Sequence, residues 1–338
     1  MLEQVPQANK VKMPISLVSI FNIEPPANTT ANANLQFNSS TGRAAWVGPP
    51  SYSFQGSTSG YTSGGRGPPL YNIIDKFPFS TNANATDVGD LTVARQATSG
   101  QSSSSSGYNS GGRYPTFNTI DKFPFAADGN ATDVGDLTVG RYAAAGQSSS
   151  SSGYTSGGSG NSNIIDKFPF AADANATDVG DLTQGRDEVA GQNSQISGYT
   201  SGGQSPPVIN TIDKFPFSTN ANATDVGDLT VARQSLAGQS STISGYTSGG
   251  LVPPTTFSNV IDKFSFSSDG NATDVGDLTA GRNQVRAGQS STVSGYSAGG
   301  NNPNTVNTID KFPFSADGNA TDVGDLTAAR VSSAGQQV

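Results

Sequence analysis

Six times in 338 residues the chain writes an oxygen-rich segment whose spacing suits a hard cation. The second copy reads Asp128-Gly-Asn130-Ala-Thr132-Asp133-Val-Gly135-Asp136. Side-chain oxygens at positions 1, 3, 5 and 9 of a tight loop are an arrangement that calcium favours. The candidate ligands are Asp128, Asn130, Thr132 and Asp136. Their counterparts are Asp173, Asn175 and Asp181, then Asp269, Asn271 and Asp277, then Asp317, Asn319 and Asp325. The first and fourth copies carry Asn82 and Asn220 at position 1 and so have one carboxylate fewer. The competing account is a hydrogen-bonded turn, in which Asp and Asn side chains satisfy nearby backbone amides. No cofactor is required by the sequence, and calcium is the one candidate.

Other chemistry is excluded by residue type. The chain has no His and no Cys. That removes the usual zinc, copper and haem sites, the Ser-His-Asp triad and thiol chemistry. The irregular charged residues within the repeats, Arg66, Arg113, Asp187, Glu188 and Arg286, are scattered along the chain and make no recognisable catalytic pair. We expect no enzyme. A net charge of −8 argues against nucleic acid as a partner. No apolar run is long enough to span a bilayer, so membrane insertion is not expected, and the first residues lack a signal-peptide layout. Asn-Ala-Thr occurs once per repeat as a formal glycosylation sequon and is read here as turn chemistry.

The frame that positions these residues is an internal repeat. The string Ile-Asp-Lys-Phe places its Asp at 75, 121, 166, 213, 262 and 310, a period near 47. Each copy is preceded by a Gly-Tyr-x-x-Gly-Gly turn and followed by Thr-Asp-Val-Gly-Asp-Leu-Thr, an Arg and a Gly-Gln stretch. Most of the charge is placed by the repeat, which predicts that it bridges neighbouring repeats. The period suits a four-stranded propeller blade. Gly-Gly, Phe-Pro-Phe and many Ser and Thr in each copy disfavour helix and favour short strands. In the second blade the expected strands are 100–106, 108–111, 118–125 and 134–144. Gly-Gly is expected where inner strands crowd the axis, and the paired Phe residues are expected to fill the gaps between blades.

The order Arg95, Ser-rich strand, Tyr108, Gly111-Gly112, then Ile120-Asp121-Lys122-Phe123 resembles the Kelch family. The resemblance covers about residues 44–338. It departs from the family pattern in its Ser- and Gln-rich inner strand and in lacking the usual Trp. The fold class it implies is all-β, a six-bladed Kelch-like β-propeller with a short N-terminal extension. The expected division is a docking arm at 1–43 and a propeller at 44–338. The tail carries Gly335-Gln336, the strand start that the first blade lacks, so we expect it to close the ring there. The alternatives are a seventh blade built from residues 44–56, or a tail donated to a neighbouring subunit. In the arm, Ile15, Leu17, Ile20 and Phe21 form the apolar patch expected to dock.

The repeat wording, Ile-Asp-Lys-Phe-Pro-Phe followed by Asn-Ala-Thr-Asp-Val-Gly-Asp-Leu-Thr, resembles the Kelch-like virion proteins of marine bacteriophages. The resemblance implies a non-enzymatic structural protein on a tail or capsid surface. Other virion proteins would be its partners, and it would be a homo-oligomer in the particle. The alternative is a propeller that binds a host-surface glycan or receptor.

Overall fold

The computed structural model describes residues 54–338 and, as backbone, the strands Asn34–Asn38 and Arg43–Val47. The docking-arm residues Ile15, Leu17, Ile20 and Phe21 lie outside the described residues. Contacts divide the chain into Met1–Tyr52 and Ser53–Val338. In the first unit the two strands form an antiparallel hairpin with Leu35 opposite Trp46.

The second unit is a six-bladed β-propeller with no helix among the described residues. Each blade is a four-stranded antiparallel sheet. In the second blade the strands are Ser99–Ser102, Ser106–Ser110, Thr119–Pro124 and Thr132–Asp136. The inner strand ends earlier than expected because Ser103 Oγ accepts hydrogen bonds from the amides of Ser105 and Ser106, folding that stretch into a turn. The outer strand starts two residues earlier than expected and ends eight residues earlier, at Asp136. Its successor Leu137 leaves the sheet to bury itself in a neighbouring interface at 3% exposure.

Both faces of a blade are covered by other blades, and the period of two along the third strand reflects this. Asp121, Phe123 and Phe125 point toward the first blade, whereas Ile120 and Lys122 point toward the third. Phe123 and Phe125 pack on Tyr61 of the first blade, with ring centroids 5.6 and 4.9 Å apart. Ile120 joins Tyr108, Leu137, Phe168 and Ala176 in the next seam. The same cluster recurs at all six seams. The paired Phe residues therefore fill the gaps as expected. Burial raises the tyrosine hydroxyl pKa values, that of Tyr199 to about 12, so these rings stay neutral and pack as apolar faces.

The crowding at the axis falls on a different glycine from the one expected. Gly100 of the Gly-Gln strand lies so close to its neighbour that a Cβ there would be 2.2 Å from the Gly335 carbonyl oxygen. The equivalent distances at Gly146, Gly191, Gly238, Gly288 and Gly335 are 2.1 to 2.3 Å. Only glycine fits at these six positions. The Gly-Gly pair instead ends the second strand, where Gly64 and Gly65 take φ values of 64° and 107° and turn the chain toward the third strand.

The following Gln explains the polar inner strand. Gln101 Nε2 donates to Ser110 Oγ in its own blade and to Tyr154 O and Thr155 Oγ1 in the next. Gln147, Gln192, Gln239, Gln289 and Gln336 each bond the next blade at the matching tyrosine carbonyl. A belt of amides thus runs around the axis, and an apolar side chain there would leave these buried carbonyls unpaired.

Closure uses the chain's own tail. Ala334–Gln337 pairs with Ser59–Ser63, setting Gly335 opposite Thr62 and Gln336 opposite Tyr61. Gln336 Nε2 donates to Ser63 Oγ and Tyr108 O, completing the belt. Among the described residues six four-stranded sheets make the ring, with the tail as the inner strand of the first blade, and residues 48–53 of the alternative seventh blade lie outside the described residues. Removing residues 335–338 takes away this strand and bares the edge of Ser59–Ser63. The truncated protein should melt about 10 °C lower, as a loss of several kcal/mol implies, and should aggregate. A thermal scan that superimposes on the parent would contradict the closure.

Candidate functional site: the seams and the loop face

The repeated charges meet at the seams. Asp121 of the second blade lies against the last turn of the first, where its carboxylate accepts hydrogen bonds from the Thr92 amide and Thr92 Oγ1. Arg95 Nη2 sits 3.1 Å away, and both side chains are fully buried. The other pairs are Arg141–Asp166, Arg186–Asp213, Arg233–Asp262, Arg282–Asp310 and Arg330–Asp75, at 2.6 to 3.2 Å. Burial pulls each guanidinium pKa down, and the facing carboxylate opposes that pull. Each Arg also donates to a backbone carbonyl of the following blade, as Arg95 does to Asn109 O. These carboxylates have no access to solvent and are held by Thr and Arg, so they do not offer a general base to a substrate.

The six seams are not equal. Arg233, Arg282 and Arg330 also donate from Nη1 to carbonyls, such as Val260 O, Thr308 O and Ile73 O. In Arg95, Arg141 and Arg186 both Nε and Nη1 are buried without a protein partner.

The calcium candidates also face the seams. Asp128 accepts a hydrogen bond from Lys76 of the first blade at 2.9 Å. Asp173, Asp269 and Asp317 pair in the same way with Lys122, Lys214 and Lys263. Asn130 Oδ1 accepts from the Asp90 amide, and the Ala131 amide donates to Asp90 O. Asn175, Asn271 and Asn319 hold the amides of Asp136, Asp228 and Asp277. The segment is therefore a clasp over the outer strand of the preceding blade, where it satisfies groups that an open sheet edge leaves unpaired. Thr132 and Asp136 stand at opposite ends of a strand, roughly 13 Å apart at an extended rise, so one ion cannot use both. The same holds for the strands that end at Asp181, Asp277 and Asp325. Among the described residues no group of three or more acidic side chains is placed to hold a metal. The internal signal for a clasp was available: Asn-Ala-Thr is the same in all six copies, including those with Asn82 and Asn220 at position 1.

A unique site in a ring of near-identical blades has to come from residues that break the repeat. Two of the scattered charges do meet. Glu188 and Arg286, from the fourth and sixth blades, form an ion pair of 2.8 Å at the end of the channel where the inner strands begin. Ser235 Oγ donates to the same carboxylate, and Arg286 Nη2 reaches Ala144 O. The pair ties the third, fourth, fifth and sixth blades together across the axis. Burial, and then Glu188, pushes the Asp187 carboxyl pKa up. The free space at the two ends of the channel is about 50 and 40 Å³.

Ser99 pairs with Ser110, so the Gly-Gly loops lie at the end where the inner strands begin, and we call this the loop face. Two further irregular arginines lie here. Arg113 rests over the rings of Tyr114 and Tyr142 at 4.3 and 4.7 Å. Arg66 lines a cleft of about 450 Å³ between the first and sixth blades, with Pro68, Gln284, Asn301, Asn304 and Thr305. This cleft was not legible in the repeat, because non-repeated loops make it.

No protein-family model matches the chain, and no curated protein matches it.

The two kinds of Asp in one repeat should behave differently. Asp121→Ala strands a buried guanidinium and should cost about 3–5 kcal/mol. Asp128→Asn, seven residues on, removes a half-exposed pair and should cost about 0–1 kcal/mol. Denaturant melts measure both, and equal effects would contradict the assignment of Asp121 to the seam.

Proposed function

We propose that this chain is a non-enzymatic structural protein of a phage virion, displayed on the tail or capsid surface and anchored by its N-terminal arm. The observation that carries the structural part is that the buried charge of every repeat is spent on joining blades. The virion part rests on the resemblance of the repeat wording to Kelch-like virion proteins of marine bacteriophages. Its partners are then other virion proteins and further copies of itself, and its place is the extracellular particle.

The side of attachment has support of its own. On the side opposite the loop face, the turns of the fourth, fifth and sixth blades carry Ile196, Ile243 and Val293 at 73, 70 and 63% exposure. The second and third blades have Ser105 and Ser151 there. Gln55 and Gly56 are tied to Ser291 and Ser290 of the same side, so the preceding chain joins the ring beside Val293. Exposed apolar patches mark interfaces.

A second reading, a receptor- or glycan-binding propeller for host attachment, is favoured by the polar cleft on the loop face. The first reading is tested by particle incorporation. Deleting residues 1–43 should leave a soluble ring that no longer joins particles. The triple variant I196S, I243S, V293S borrows the serine of the sibling blades, so it should fold normally and incorporate less. Normal incorporation of the deletion would refute the anchoring.

A further inference from the structure

The two irregular arginines of the loop face differ in one respect. Arg113 is engaged by two tyrosine rings. The Arg66 backbone is fixed by two hydrogen bonds with Val331, while its exposed side chain makes no ion pair or hydrogen bond among the described residues. The neighbours of Arg66 in the cleft are uncommitted too. Among the described residues the side chains of Gln284, Asn304 and Thr305 have no hydrogen-bond partner, and Asn301 Oδ1 is buried without one. The cleft lies within the size range of small-molecule sites.

We propose that this cleft binds an acidic saccharide, with Arg66 taking the sugar carboxylate and the amides and hydroxyl taking ring hydroxyls. The inference rests on the glycan-binding reading and gives it a site and a ligand class. A planar amide offers a donor and an acceptor on one side chain, which suits a hydroxyl that both donates and accepts. A guanidinium with no protein carboxylate can present two parallel N–H groups to a carboxylate. Pro68 and Pro303 supply the modest apolar walls that the C–H faces of a sugar need. A neutral saccharide leaves the guanidinium unpaired, so the acid form is the better fit. The outward-facing acidic residues of the ring repel such a ligand elsewhere, which concentrates recognition at Arg66.

The test is calorimetric titration of the full chain with tetragalacturonate and with its methyl ester, which removes the charge and adds one methyl group per residue. The acid should bind, and the ester should bind about tenfold more weakly or not at all. Arg66→Gln should abolish that preference, and the double variant N304A, T305A should weaken both ligands, with melting temperatures unchanged. Acid binding that survives both variants overturns the cleft assignment and leaves the glycan reading standing. Equal binding of acid and ester in the parent overturns the ligand class. A chain that binds neither tetragalacturonate nor any member of a glycan array overturns the site and the glycan reading together.

Discussion

A carboxylate taken fully out of water needs a cation and hydrogen bonds in return. In this ring the blade that buries the carboxylate does not own the cation. Asp121 belongs to the second blade, whereas Arg95 and Thr92 belong to the end of the first. A blade on its own would leave that carboxylate without its cation and its threonine donors. The repeat is thus a half-interface written six times, and the last half, Arg330 and Thr327, finds its Asp75 only by closing the circle. Stability in such an array is carried by interfaces between neighbours rather than by the units themselves.

The other recurring residues serve the same end at other radii. At the axis, glycine lets six strands meet, and glutamine ties each to the next blade. At mid-radius, two Phe of one blade lie on a Tyr of the preceding one, a contact worth about 0.5–1.5 kcal/mol beyond area burial. At the rim, Asn-Ala-Thr clasps the outer strand of the preceding blade, and where an Asp is present a lysine joins it. All these links run in the same direction, from each blade to the next. That shared direction explains why the composition, with little apolar content and much Ser and Asn, still specifies a compact ring.

Blade number, closure and the bridging role of the repeated charge could be read from the sequence, because each is a property of the period. Which glycine sits at the axis could not. Gly-Gly and Gly-Gln both satisfy a crowding argument, and only the position of the strand within the blade separates them. The geometry of the oxygen-rich segment was not legible either. A pattern of oxygens at 1, 3, 5 and 9 means a cation loop only if the chain curls, and Thr132–Asp136 is extended. Glu188 and Arg286 looked unrelated at 98 residues apart, yet two blades of rotation bring them to the same channel end. The Arg66 cleft belongs to loops with no period, which sequence reasoning had no frame to place.

Arg95 and Asp121 act as one unit across a seam. A double-mutant cycle with Arg95→Met and Asp121→Leu, read by equilibrium unfolding, measures this most directly. The expected coupling is about 2–3 kcal/mol, at the upper end for residues in contact, with the double variant more stable than Asp121→Leu alone. Additive effects, with coupling near zero, would contradict it.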